Sequence, residues 1–334
     1  MQSAPSPSRP ADRPLPATGP RTETTPREQG PPGPWELAPA APRRPRRPRP
    51  SRQGWAALLG SSLSLLAIAL LAFTGYLALL SGIEHSRSQR LAYDDLRIKL
   101  SSLTAPTGQT DLDGKLLPVG TPMGYLTAPG LGLEREVFFE GTTSAVLAKG
   151  PGHRRASALP GQPGVSTLYG RAAAFGGPFG GLADIDRASI ITVTTGQGTH
   201  TYEVTGVRRE GAPVPSAPQA DEGRLTLVTA DGPPFAPTGV VYVDARLTSP
   251  VVPAAARRLG PSALLPAEAQ MVGDSSGWPK IYLLAQGLAV AGLAMAWASR
   301  RWGARQAWVA GFPLVGLFVV LGSHNLALLL PNLL

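Results

Sequence analysis

The chain of 334 residues contains no cysteine. That absence excludes disulfides, thiolate-bound metals and any thiol nucleophile. Histidine is nearly as scarce, with only His85, His153, His200 and His324. None of these lies three or four residues from another, so no local His-based metal motif exists. Asparagine occurs only as Asn325 and Asn332, and the basic residues are nearly all Arg, a bias that matches GC-rich bacterial coding. No P-loop, G-x-G-x-x-G, H-E-x-x-H or G-x-S-x-G pattern is present. No cofactor or metal is therefore expected.

Glycine and proline are abundant instead, with 39 Gly and 36 Pro. Much of the proline falls in residues 1–53, with Arg, Ser and Thr and few large apolar side chains. Such a segment cannot bury enough surface to offset the entropy of ordering, so it reads as disordered. It holds ten Arg against Asp12, Glu23, Glu28 and Glu36, a surplus of six of the chain's nine net positive charges. The charge sits beside an apolar run. That placement points to a membrane surface on the cytoplasmic side and not to nucleic acid.

Gly54–Ile83 carries no charge until Glu84 and exceeds the roughly 20 residues a bilayer core needs. It reads as a first transmembrane helix with Trp55 and Tyr76 near the two interfaces. Its length, its long leading segment and the lack of a clear A-x-A site after it argue against a cleaved signal peptide. Residues 84–121 follow as a helix and a Gly/Pro/Thr linker. In that helix Leu91, Leu96, Leu100 and Leu103 recur at helical spacing, and Asp95 and Lys99 form an i,i+4 pair. Residues 248–279 form a second linker. Residues 280–334 read as a helical hairpin, with spans at Ile281–Ser299 and Ala307–Gly322 around Arg300, Arg301 and Arg305. Pro313 and the Ser323-His-Asn325 stretch leave the last span's ends open. The basic loop places that turn in the cytoplasm with the N-terminal cluster, and residues 122–247 outside the cell.

Residues 122–247 are the one soluble globular region. Strands are expected at Gly124–Ala128, Glu134–Glu140, Val165–Tyr169, Ser189–Thr195, Thr199–Arg209, Arg224–Thr229 and Gly239–Arg246. A short helical turn is expected in Thr143–Lys149. Seven or eight short strands in one such region suit a closed β-barrel or a sandwich. The fold class is thus mainly β, with three transmembrane α-helices.

Several segments of this region resemble, in order, those of the sortases, in particular the membrane-anchored class E type of high-GC Gram-positive bacteria. They are Glu140-Gly-Thr-Thr143, Lys149-Gly-Pro-Gly-His153, Pro160-Gly-Gln-Pro-Gly164, Phe175-Gly-Gly-Pro-Phe179 with Leu182, the hairpin Ile190-Thr-Val193 and Thr201-Tyr-Glu-Val204, and Leu225-Thr-Leu-Val-Thr229. The resemblance implies a closed sortase-like β-barrel of seven to eight strands. It also implies a Cys that attacks a peptide carbonyl, a His in proton transfer and an Arg supporting the transition state. In this sequence the three places fall on Ala230, Arg171 and Val240. A methyl group cannot attack a carbonyl, and a guanidinium cannot serve as a base.

The expectation is a catalytically inactive relative that binds or scaffolds an envelope or membrane protein, through a peptide segment laid in a groove or through the helices. Arg171, Asp231 and His153 are the candidate groove residues, with Arg171 either paired to Asp231 or presented to a ligand. His153 is expected to bond backbone in its turn, His200 to be exposed, and Arg154-Arg155 to be solvated. An active enzyme with a non-cysteine nucleophile, Thr229 or Asp231, is the alternative. A third reading places the function in the membrane hairpin itself.

Overall fold

The computed structural model describes residues 54–254 and 256–334. The expectations for residues 1–53 and for the Trp55 side chain fall outside the described residues. Eight strands form the barrel: β1 (Pro122–Ala128), β2 (Leu133–Glu140), β3 (Gly152–His153), β4 (Gly164–Tyr169), β5 (Ile190–Thr195), β6 (Gly198–Arg209), β7 (Gly223–Asp231) and β8 (Gly239–Leu247). They close in the order β1-β2-β3-β4-β7-β8-β6-β5, which settles the architecture as a barrel and not a sandwich. The β2–β3 and β4–β7 pairs are parallel and the other pairs antiparallel.

All seven expected strands are present, and the eighth, β3, has only two residues. Two residues show no readable period, so β3 is defined solely by its neighbours β2 and β4. The alternation in the longer strands sorts their side chains. Ile191, Val193, Leu225, Leu227, Val241 and Val243 face one apolar interior. Each such side chain contributes about 1.5–3 kcal/mol by leaving water. Gly124 is required on β1, because a Cβ there would run into the Thr194 carbonyl and the Phe138 ring.

Among the described residues, three helices are long and apolar enough to cross a membrane. The first begins as α1 (Gly54–Gly75), passes through a π turn at Tyr76–Leu80 and continues without a break as α2 (Ser81–Ser101). Helix α2 leaves its apolar sequence behind and lies on the barrel. Leu96 is fully buried against Val137, Phe139 and Val146, while Leu91 points away from them. Gln89 acts as a surrogate strand residue: its side-chain oxygen accepts from Val137 N–H at 2.7 Å, and its amide donates to the Val137 carbonyl at 3.0 Å. The expected Asp95–Lys99 pair is present at 2.7 Å. The short helix α3 (Ser144–Leu147) lies between β2 and β3, N-capped by the Thr143 hydroxyl.

The hairpin consists of α4 (Trp278–Arg301) and α5 (Ala304–Leu329). Helix α5 runs through Pro313 and through Ser323-His-Asn325, where a break was expected. The Asn325 amide donates back to the Leu321 carbonyl at 2.8 Å and is so satisfied within the helix, and Ser323 is buried. His324 then meets the π turn. Tyr76 O–H donates to Glu84 at 2.7 Å, and His324 Nδ1 lies 3.1 Å from the same carboxylate oxygen.

His200 is not exposed as expected. It shares the inward face of β6 with Tyr202 and Val204, and its ring lies against Gly161 where a side chain would otherwise stand. Among the described residues its Nε2 has no hydrogen-bond partner. Burial lowers its pKa below the ordinary imidazole value. The unfolded chain binds a proton near pH 6.5 while the folded barrel resists it. Stability is therefore full above about pH 6.5 and declines as pH falls toward the depressed folded value. We expect the thermal midpoint of the full chain in detergent to fall between pH 7 and 5, with a shallower slope in His200→Gln. Identical slopes would contradict this assignment.

Candidate ligand groove

The ends of β4, β7 and β8 meet at one rim of the barrel. On β7 the interior positions are Leu225 and Leu227, so Val228 and Ala230 face outward. Ala230 stands directly opposite Val240 of β8. Together with Tyr169 of β4 and Leu147 of α3 they wall an apolar groove. Leu333 fills it, and all six residues are buried in one cluster. The three places singled out from sequence, Arg171, Ala230 and Val240, are thus brought to one rim.

Leu333 arrives on a short turn that follows α5. Leu334 N–H donates to the Pro331 carbonyl at 3.0 Å, which closes a β-turn over Asn332 and Leu333. The turn is tied to the barrel by three groups. Ala172 N–H donates to the Leu333 carbonyl at 2.8 Å. The Asn332 side-chain amide donates to the carbonyls of Thr142 and Ala269, both at 2.9 Å. Arg171 Nη1 donates to the Leu334 main-chain oxygen at 3.1 Å. The linker supports it from behind, since Asn332 N–H reaches Val272 and Asp274 N–H reaches Leu328. Gly273 is needed there, because a Cβ would collide with the Leu329 carbonyl.

Arg171 is not a groove residue open to ligand. Its side chain is 0% exposed. Its other terminal nitrogen donates to the Ser144 carbonyl at 3.1 Å and to the Ser144 hydroxyl at 2.7 Å. Its guanidinium carbon lies 4.9 Å from the centre of the Phe175 ring, and Phe175 itself has a left-handed backbone with φ of 52°. Among the described residues no Asp or Glu side chain pairs with it, and its Nε has no partner. Burial draws its pKa down to about 10, so it stays charged at neutral pH.

Asp231 and His153 do not join Arg171. Asp231 pairs with Arg209 at 2.8 Å on the outer surface. His153 is buried on β3, with Nδ1 at 2.9 Å from Glu140 and Nε2 at 2.9 Å from the Ala158 carbonyl. The expected backbone bond of His153 is present. Ser157 Oγ lies 3.1 Å from the same Nε2, but its hydroxyl donates to the Arg154 carbonyl and accepts from Thr167 N–H. With Nε2 directed at a carbonyl and the serine proton directed at another, this trio is a structural cluster and not a nucleophile with its base. Arg155 is not solvated as expected: it lies between Glu140 at 3.9 Å and Glu268 at 4.0 Å. Thr229 faces the barrel interior and its hydroxyl donates to the Gly170 carbonyl at 2.8 Å.

Sequence reasoning missed Ser144, Leu147, Tyr169, Asn332 and Leu333. The last two sit in a stretch that reads as the end of a membrane span, and only the rarity of asparagine sets Asn332 apart. Arg171→Lys should lower stability by about 1–3 kcal/mol, because an ammonium cannot reach both Ser144 and Leu334 and leaves a buried acceptor unpaired. Asp231→Asn should change it by less than about 1 kcal/mol, since that pair is largely solvated. Denaturant midpoints of the full chain would check both, and equal losses would contradict the division.

Residues 126–248 match the family model described as Sortase domain, a little over a third of the chain. No curated protein matches. Among solved structures, the chain is similar to the Sortase D5 transpeptidase of Clostridium perfringens, at 18% identity over 49% of this chain and 99% of that one, TM-score 0.40. It is similar to sortase E of Streptomyces avermitilis at 24% identity over 40% and 91%, TM-score 0.34. A sortase from Actinomyces oris aligns at 24% identity over 40% and 83%, TM-score 0.36. The family match falls on the eight-stranded barrel, and the apolar helices lie outside it.

Proposed function

We propose that this is a membrane-anchored, catalytically inactive sortase-like protein that binds or scaffolds a partner at the cell envelope. Its barrel is of the class E-like type of high-GC Gram-positive bacteria. The carrying observation is the chemistry at the end of β7. Ala230 and Val240 offer only methyl groups, and Leu333 occupies the space between them and α3. Arg171 stands where the resemblance places a proton-transferring His, and its guanidinium is buried and remains a cation. The alternative nucleophiles gain no support. Thr229 is turned inward with its proton committed to Gly170, and Asp231 is committed to Arg209.

The partner is an envelope or membrane protein, met through a peptide segment or through the exposed faces of α1, α4 and α5. The anchor is a three-span plasma-membrane topology with the N-terminal segment and the loop at Arg300–Arg305 cytoplasmic and the barrel outside.

Incubation of the full-length protein in membranes with peptide amides and hydroxylamine as acceptor should yield no hydroxamate above buffer. Thr229→Ala and Asp231→Ala should be indistinguishable from wild type. Turnover that either substitution abolishes would sink the inactive reading. The natural lack of cysteine permits a direct topology test. With single substitutions Thr238→Cys on the barrel and Ala304→Cys in the hairpin loop, an impermeant maleimide on intact cells should label only the first. Labelling of the second alone would invert the topology.

A further inference from the structure

The groove is closed by an element that is not part of the barrel. Its walls are Leu147, Tyr169, Val228, Ala230 and Val240, all held on α3, β4, β7 and β8. These walls keep their positions through barrel hydrogen bonds, in register from Gly164 to Tyr169 along β4–β7 and from Arg224 to Asp231 along β7–β8. Leu333 enters from outside, on a turn joined to α5. Withdrawing that turn would leave a preformed apolar slot of leucine size beside two directed donors, Ala172 N–H and the Arg171 guanidinium. An apolar pocket with a few convergent polar groups is what a ligand site requires.

The turn's own bonding also leaves room for exchange. Asn332 Oδ1 and Arg171 Nε are buried polar atoms without hydrogen-bond partners among the described residues. Among the described residues, the main chain around the barrel rim donates one hydrogen bond to the turn, from Ala172, and accepts one, at Thr142. Everything else that holds Leu333 is side chain or linker. A tethered occupant needs few contacts, because attachment gives it an effective concentration of about millimolar.

We propose that Pro331–Leu334 is an intramolecular ligand of the groove, and that the groove accepts a leucine-tipped peptide turn from a partner protein when this segment withdraws. The inference rests on the non-catalytic reading above and assigns the ligand class of that same site. A free ligand competes with the tethered one, so its apparent affinity is reduced by the fraction of molecules whose groove is open. The site recognises three features: a leucine side chain between Ala230 and Leu147, a carbonyl that accepts from Ala172 N–H, and the next main-chain oxygen, which accepts from Arg171.

The test uses the full chain in lipid nanodiscs and a fluorophore-labelled, amide-capped peptide Lys-Lys-Leu-Pro-Asn-Leu-Leu. Asn332→Ala combined with Leu333→Ala removes the leucine plug and the side-chain amide tether. Anisotropy titration should show this variant binding the peptide at least about tenfold more tightly than wild type. Replacing the peptide's penultimate Leu by Ser should abolish the gain. Adding Ala230→Phe, which fills the slot, should abolish it too, and Leu147→Ala, which only widens the slot, should weaken it. Retained far-ultraviolet circular dichroism checks that each variant is folded. Equal binding by wild type and the unplugged variant, or binding indifferent to both Ala230→Phe and Leu147→Ala, would overturn the proposal. Either result is independent of the hydroxamate assay, which tests catalysis alone.

Discussion

Arg171 is a cation sealed away from water at the junction of β4, α3 and the segment after α5, and the groove depends on how that charge is accommodated. An unpaired buried guanidinium is costly, and no carboxylate among the described residues relieves it. It is held instead by three oxygens, from the Ser144 carbonyl and hydroxyl and the Leu334 main chain, and by the face of Phe175. These partners come from three separate parts of the chain. Satisfying one side chain therefore positions α3, the Phe175 loop and the Pro331–Leu334 turn together. Phe175 carries the constraint onward, since its ring also packs edge-on to Tyr76 and His324 of the helices.

The barrel is consequently clasped to its helices from two directions. On one side, the continuous α1–α2 rod delivers Gln89 and Leu96 to β2. On the other, α5 delivers Asn332 and Leu333 to the rim formed by β4, β7 and β8. The Tyr76–Glu84–His324 cluster links the two routes where α5 passes the π turn, a type of helix irregularity that recurs at functional sites.

The strands could be read because each longer one alternates apolar and polar residues between turn signals. The apolar helices could be read because they lack charge over spans of bilayer length. His200 and Arg155 could not be placed, because burial depends on what covers a side chain. Gly161 leaves space for one, and Glu140 and Glu268 surround the other. The pairing of Arg171 with Asp231 failed for a similar reason. Both belong to the same rim by sequence order, yet Asp231 is drawn outward to Arg209 across the β6–β8–β7 surface.

From sequence alone, the absence of cysteine ruled out thiol chemistry wherever the chain might fold, because no arrangement supplies a missing sulfur. The same holds for the three apolar spans and the alternation that specifies β-strands, since both are properties of neighbouring residues. Only the tertiary structure decided what lies between Ala230, Val240 and Arg171. Their groove is filled by residues about a hundred positions further along the chain, in the tail that follows the last apolar span. No local pattern encodes such a contact. It exists because the hairpin returns Leu333 to an apolar slot beside a buried cation that its turn can satisfy.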